Sequence, residues 1–159
     1  MHRTGNRNER ESLMNAAQSF FAFLARLCVG IVLIAHGWQK VFVHGIDGTT
    51  QNMAGMGVPL PQLAAWYSSM VELVGGILLV VGLLLPVVGL LIAVDMVGAL
   101  VLVHFPHGLF LPNGFEFVLV LGAAGLALGF NGGTWSVDHA LFRRRRKNER
   151  TERPPATGF

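Results

Sequence analysis

Six ionisable side chains stand inside, or at the mouths of, long apolar stretches of this chain: Arg26, His36 and Lys40 in one, then Glu72, Asp95 and Glu116 in three later ones. A charge at bilayer depth costs several kcal/mol unless a partner faces it, so such residues mark function or specific packing. The set holds both signs, which suits it to buried ion pairing, to proton handling and to hydrogen-bonding a ligand's polar head group.

The stretch RLCVGIVLIAHGWQK organises the set. At 3.6 residues per turn Arg26, Gly30, Leu33, Gly37 and Lys40 fall on one stripe, with His36 at its border. The two glycines let a second helix approach this stripe closely, as small residues do at membrane helix contacts. The charged face is then a packing face. The alternative is a plain anchor helix whose Arg26 and Lys40 snorkel to opposite surfaces.

Composition sets the surroundings. Of 159 residues 52% are apolar and 13% charged, with 20 glycines. Soluble domains carry nearer a quarter charged residues, so a polytopic membrane protein is expected. Residues 20–142 hold two bases against five acids, a net charge of −3, and the other ten bases lie in the two ends of the chain. The high isoelectric point therefore describes the tails and gives no reason to expect nucleic-acid binding.

Other chemistry is thinly represented. Cys28 is the only cysteine and has apolar neighbours, which excludes an internal disulfide or a Cys-x-x-Cys redox pair and suits an inert apolar role. His36, His44, His104 and His107 are expected at one membrane face, and His-x-x-His on a helix can present two ligands to haem or a divalent metal. Pro106 between His104 and His107 works against that spacing, and interfacial histidines without a ligand are commoner. No nucleophile elbow or phosphate loop is present, so an autonomous enzyme is not the expectation.

The elements that must carry these residues follow from hydropathy and punctuation. Residues 1–19 form a polar tail of mixed sign, retained because no small-x-small cleavage site ends the apolar run after it. Apolar spans are predicted at about 20–43, 63–85, 87–105 and 115–130, giving an all-α four-helix membrane bundle within residues 20–142. Residues 44–62 read as a glycine- and proline-rich loop with a short interfacial segment near Met53, and 104–114 as a second loop. Neither contains Lys or Arg. Ser136 is placed to cap a short surface helix. Residues 143–159 form a basic tail expected to be disordered, with Arg143-Arg144-Arg145-Arg146-Lys147 as either a stop signal or a patch for anionic lipid or a partner. Both termini are then cytoplasmic by the positive-inside rule.

A rise of about 1.5 Å per residue turns these spans into depths. Arg26 lies about 9 Å and Asp95 about 12 Å from the inner ends of their spans, while Lys40, His36 and Glu72 lie within about 14 Å of the outer ends. Two polar layers are predicted: Arg26 with Asp95 on the inner side, and Lys40, His36, Glu72 and Glu116 on the outer side.

The ordered set Arg26-Leu-x-x-Gly30, His36-Gly37-x-x-Lys40, Gly57-Val58-Pro59, Glu72-Leu73-Val74-Gly75-Gly76 and Asp95 resembles the DoxX family of small four-helix bacterial membrane proteins. The likeness continues through Asn113-Gly114-Phe115-Glu116 and Gly132-Gly133-x-x-Ser136-Val137-Asp138, and leaves out both tails. The resemblance implies an inner-membrane location and a link to oxidative and thiol stress defence, in assemblies with a sulfurtransferase and a superoxide dismutase. Relatives of the DoxD type belong to a thiosulfate:quinone oxidoreductase. The expectation is a membrane subunit of a redox or stress-defence assembly. Its buried polar seam of Arg26, His36, Lys40, Glu72, Asp95 and Glu116 would receive a quinone, and a cytoplasmic partner enzyme would dock on the tail. Two alternatives stay open: a small proton-coupled transporter working as a homo-oligomer, and a purely structural membrane protein.

Overall fold

A computed structural model describes residues 3–110 and 112–152, and every regular element among them is helical. Helix α1 (Arg3–Trp38) continues through a π-helical turn, Gln39–Val43. Helix α2 (Gly45–Gly55) follows, then α3 (Pro61–Val81) and α4 (Leu85–His107). Helix α5 spans Glu116–Phe130 and α6 spans Val137–Glu152. Three stretches are long and apolar enough to cross a membrane: Glu9–Val43, α3 and α4. Helix α5 is equally apolar but shorter, at 15 residues. The chain is an all-α, multi-spanning membrane protein. Its outer faces carry Phe21, Ile31, Leu90, Val97, Val101, Val120 and Phe130, all exposed, as lipid contact requires.

The stripe predicted on α1 is its packing face. Arg26 and Leu33 are fully buried, and Gly30 and Gly37 are buried beside them. A Cβ placed on Gly37 would stand 2.8 Å from Leu73 Cα, and one on Gly76 would stand 3.1 Å from the Gly30 carbonyl oxygen. The backbones of α1 and α3 therefore meet where only glycine fits. Helices α4 and α5 use the same device, since a Cβ on Gly89 would lie 2.8 Å from the Gly125 carbonyl oxygen. Leu33, Leu79, Val88, Ile92, Met96 and Leu121 fill the space between these pairs.

Three segments depart from the reading of the sequence. Residues 44–62 are largely a helix, α2, because Ile46, Thr49, Thr50 and Met53 repeat at helical spacing despite the glycines around them. Thr49 is buried and its hydroxyl donates to the Lys40 carbonyl at 2.9 Å, tying α2 to the end of α1. The polar stretch before residue 20 continues α1 as helix. At the other end α6 runs through the arginine run as far as Glu152, in keeping with the good helix propensity of Arg, Lys and Glu, while residues 153–159 lie outside the described part. Ser136 caps α6 as predicted, its Oγ accepting the His139 amide at 3.2 Å.

α3 and α4 each contain a π-helical turn of their own, Val71–Gly75 and Leu100–His104. A π-turn inserts one extra residue per turn and rotates the side chains beyond it; such turns are frequent at functional sites. Lys40 and Glu72 both sit in π-turns.

Candidate functional site

Lys40 and Glu72 meet. The Lys40 ammonium donates to Glu72 Oε2 at 2.5 Å and to Ser68 Oγ at 2.7 Å, one helical turn before Glu72 on α3. Glu72 is buried and the Lys40 side chain is 23% exposed, so the pair faces an opening on the lysine side. Asp95 stands nearby on α4, 7% exposed and within electrostatic reach of both Glu72 and Lys40. Its Oδ2 is buried and has no hydrogen-bond partner.

These groups form the floor of a cavity of about 620 Å³, within the range of about 300–1,000 Å³ common for small-molecule sites. His36, Lys40, Tyr67, Ser68, Glu72, Asp95 and His104 supply its polar lining. The apolar walls include Met53 and Met56 from the α2 region, Val94 and Leu102 from α4, and Phe117 and Leu121 from α5. His36 faces the Phe117 ring at 5.7 Å between centroids, and the Tyr67 hydroxyl donates to the Leu91 carbonyl at 3.1 Å. An apolar chamber with a few convergent polar groups on one wall is suited to an amphipathic ligand whose polar end reaches the floor.

Of the six residues predicted for the polar seam, the structure brings His36, Lys40, Glu72 and Asp95 to this cavity. Glu116 opens α5, half-buried, and is not among the lining residues. Arg26 belongs to a different cluster at the opposite end of the helices, so the predicted Arg26–Asp95 layer does not form. Asp95 and Glu72 both lie near the middle of their helices and reach the same chamber. A depth measured from one end cannot give the direction in which a side chain points.

Arg26 instead donates to the Trp135 carbonyl, and the carboxylate acting on it is Asp138. Asp138 accepts the amides of Leu84 and Leu85 at 2.9 and 2.8 Å, capping α4, while its own amide donates to the Gly82 carbonyl at 3.0 Å. The cap holds Leu84 at φ 54°, a left-handed conformation costly for a non-glycine residue. Gly82, at φ 78°, leaves the room that the Arg26 guanidinium and Ser136 occupy. Ser19 completes the knot by accepting from the Thr134 amide and hydroxyl at 3.2 and 2.8 Å. This end fastens α1, α4 and the start of α6 together.

The four histidines do not converge on a metal. His104 and His107 each place Nδ1 beside a backbone carbonyl, of Asn113 at 2.9 Å and Val103 at 3.2 Å. Among the described residues no group of three or more His, Cys, Asp or Glu side chains is arranged to hold an ion. Cys28 is exposed on α1 and takes no part in either cluster.

Helices that cross a membrane, a glycine-mediated core and a charged floor under an apolar cavity define a small polytopic membrane protein. The DoxX family model matches residues 21–105, and the chain belongs to that family. It is 32% identical over 115 residues, 72% of this chain and 83% of the relative, to a Bacillus subtilis (strain 168) protein described as "Putative oxidoreductase CatD". It is 38% identical over 65 residues, 41% of this chain and 45% of the relative, to "Inner membrane protein YphA" of Escherichia coli (strain K12). No solved structure matches. The family match covers Arg26, His36, Lys40, Glu72 and Asp95, and ends before Glu116 and Asp138.

Proposed function

We propose that this chain is an inner-membrane subunit of a redox or stress-defence assembly and that its cavity takes a quinone-type head group. The observation that carries the reading is the floor of the chamber: a Lys40–Glu72 ion pair and an Asp95 oxygen without a partner, beneath walls of Met, Leu, Val and Phe. Lys40 supplies a charged donor for a ring oxygen, and the apolar walls suit the ring and the start of its tail. Names of relatives, one an oxidoreductase and one an inner-membrane protein, support the same direction. Helix α5 acts as a fourth span in this reading, and both termini lie in the cytoplasm, where Arg143 and Arg144 begin the basic part of α6. A cytoplasmic partner enzyme docks on that helix.

Purification in mild detergent followed by extraction of bound small molecules tests the ligand. A quinone-class compound is expected at near-stoichiometric level in the native protein and at no more than about a tenth of that in Glu72→Gln, which removes the charge that fixes Lys40. Equal background amounts in both would reject the site. Ion or solute flux in liposomes that vanishes in the same variant, with no quinone recovered, would favour the transporter reading instead.

A further inference from the structure

Helix α4 stays close to α5, where Gly122 and Gly125 leave room for Met96 and Ile92. Against α3 it packs over Val71–Val81, and a Cβ on Gly75 would lie 3.8 Å from Val88 Cγ1. Ahead of that π-turn, over Pro61–Met70, the two helices part and the cavity reaches between them. Ala64 and Tyr67 line the gap from α3, and Val94, Gly98 and Leu102 line it from α4. The α4 residues repeat every four positions and so share one face. Leu91 stands on that face one turn earlier, and its carbonyl accepts the Tyr67 hydroxyl at 3.1 Å, bridging the gap at its edge.

Chamber and outer surface are continuous at this gap. Val94 and Leu102 line the cavity and yet are 54% and 44% exposed. A Cβ on Gly98 would have nothing within 4 Å, so the middle of the gap is open by at least a side chain. The rims carry Leu63 and Trp66 on α3 and Val97 and Val101 on α4, all exposed, so the opening meets hydrocarbon. At the end of the bundle, by contrast, Met53, the buried Val58 and Pro112 line the chamber, and the Thr49 bond ties α2 down to α1 there. We propose that the gap between α3 and α4 is a lateral portal, through which a head group enters from the bilayer and in which its apolar tail remains. The chamber then takes lipid-tailed ligands in preference to water-soluble ones: the tail stays in hydrocarbon throughout, and the head leaves it only where Lys40 can meet it. This rests on the reading of the cavity as a quinone-type site and adds the route of entry, the seat of the tail and Gly98 as the residue that sets the portal's width.

The test fills the portal in the full chain in lipid nanodiscs, with protein-free nanodiscs as the blank. Two probes are titrated calorimetrically, a trimethylbenzoquinone whose fourth ring position carries methyl in one and decyl in the other. Gly98→Phe should weaken the decyl probe at least about tenfold, the scale of displacing about two methylenes from an apolar slot, and change the methyl probe by less than about twofold. Val97→Phe adds the same bulk one residue away, on the lipid-facing side, and should leave both probes within about twofold of the native protein. A decyl probe that binds Gly98→Phe as tightly as the native chain overturns the portal and leaves the head-group site standing. Equal weakening of both probes overturns it too, because Gly98 then borders the head and not the tail. Failure of both probes to bind the native protein rejects the quinone-type reading and the portal with it. If the methyl probe is too weak to titrate, the decyl probe on Gly98→Phe against Val97→Phe decides, and if Gly98→Phe does not fold, Ala64→Phe fills the same gap from α3.

Discussion

Replacing Lys40 with Met should destabilise the folded protein in detergent by about 3 kcal/mol, the low end of the cost of breaking a buried ion pair. The substitution leaves Glu72 and Asp95 as two carboxyls on a largely apolar floor, with the only base among the cavity-lining side chains besides histidine removed. Loss of the pair's own attraction is the smaller part. The larger part is the buried charge left behind, so a second substitution that removes it should restore stability. The double variant Lys40→Met with Glu72→Leu is therefore expected to recover most of the loss while binding no ligand. Thermal unfolding monitored by size-exclusion in detergent would read both effects. If the double variant is as unstable as the sum of its two single changes, Lys40 and Glu72 are not coupled and the ion pair does not organise the cavity.

Asp138→Ala should be comparably severe, for different reasons at the other end of the molecule. It removes the acceptor of the Leu84 and Leu85 amides, a helix cap that contributes about 1 kcal/mol, while Leu84 keeps its unfavourable φ. It also strips Arg26, which is fully buried, of its counter-charge. Two of the guanidinium nitrogens, Nε and Nη1, already lack a hydrogen-bond partner, so little remains to hold the charge. A total loss of about 3 kcal/mol or more is expected, again largely reversed by replacing Arg26 with Met in the same chain. Asp47→Ala serves as the contrast: this exposed residue in the first turn of α2 should cost less than about 1 kcal/mol. Equal expression and melting of the Asp138 and Asp47 variants would contradict the role of the knot.

How much of this was legible beforehand differs from residue to residue. The buried stripe from Arg26 to Lys40 was, because a 3.6-residue period and two glycines specify a packing face whatever packs on it. The meeting of Lys40 and Glu72 was also legible, since opposite charges at matched depth in apolar helices have strong reason to pair. Asp95 was misassigned: it lies almost midway along α4, where counting from either end is ambiguous, and the π-turns nearby change side-chain direction in a way that spacing does not announce. Arg26 received its partner from Asp138, beyond the last apolar run, and a ledger limited to charges inside spans has no place for it. Ser136-Val137-Asp138 was recognised as a helix start, yet nothing in the sequence says that the same aspartate caps α4, more than 50 residues earlier. The contributions of Ser68, Tyr67 and Met53 depend on which face of each helix turns inward. Tyr67, for example, is half-buried and lines the cavity while its neighbour Trp66 is exposed.

The two clusters divide the labour of the fold. The Arg26–Asp138 knot closes one end with backbone-directed hydrogen bonds and small residues, leaving little space. The Lys40–Glu72–Asp95 floor keeps its charges beside an open chamber. Buried charge fastens helices in the first case, and in the second it lines the cavity proposed to hold a ligand.

Photo-crosslinking tests that division most directly. The full chain in nanodiscs, exposed to an azido-substituted benzoquinone and its hydroquinone and mapped by peptide mass spectrometry, should label residues of the chamber such as Met53, Met56 and Phe117. Labelling should fall away in the Lys40→Met, Glu72→Leu variant. Labels spread over the lipid-facing side chains, such as Leu90, Val97 and Val120, with no change in that variant, would contradict the assignment of the cavity as the ligand site.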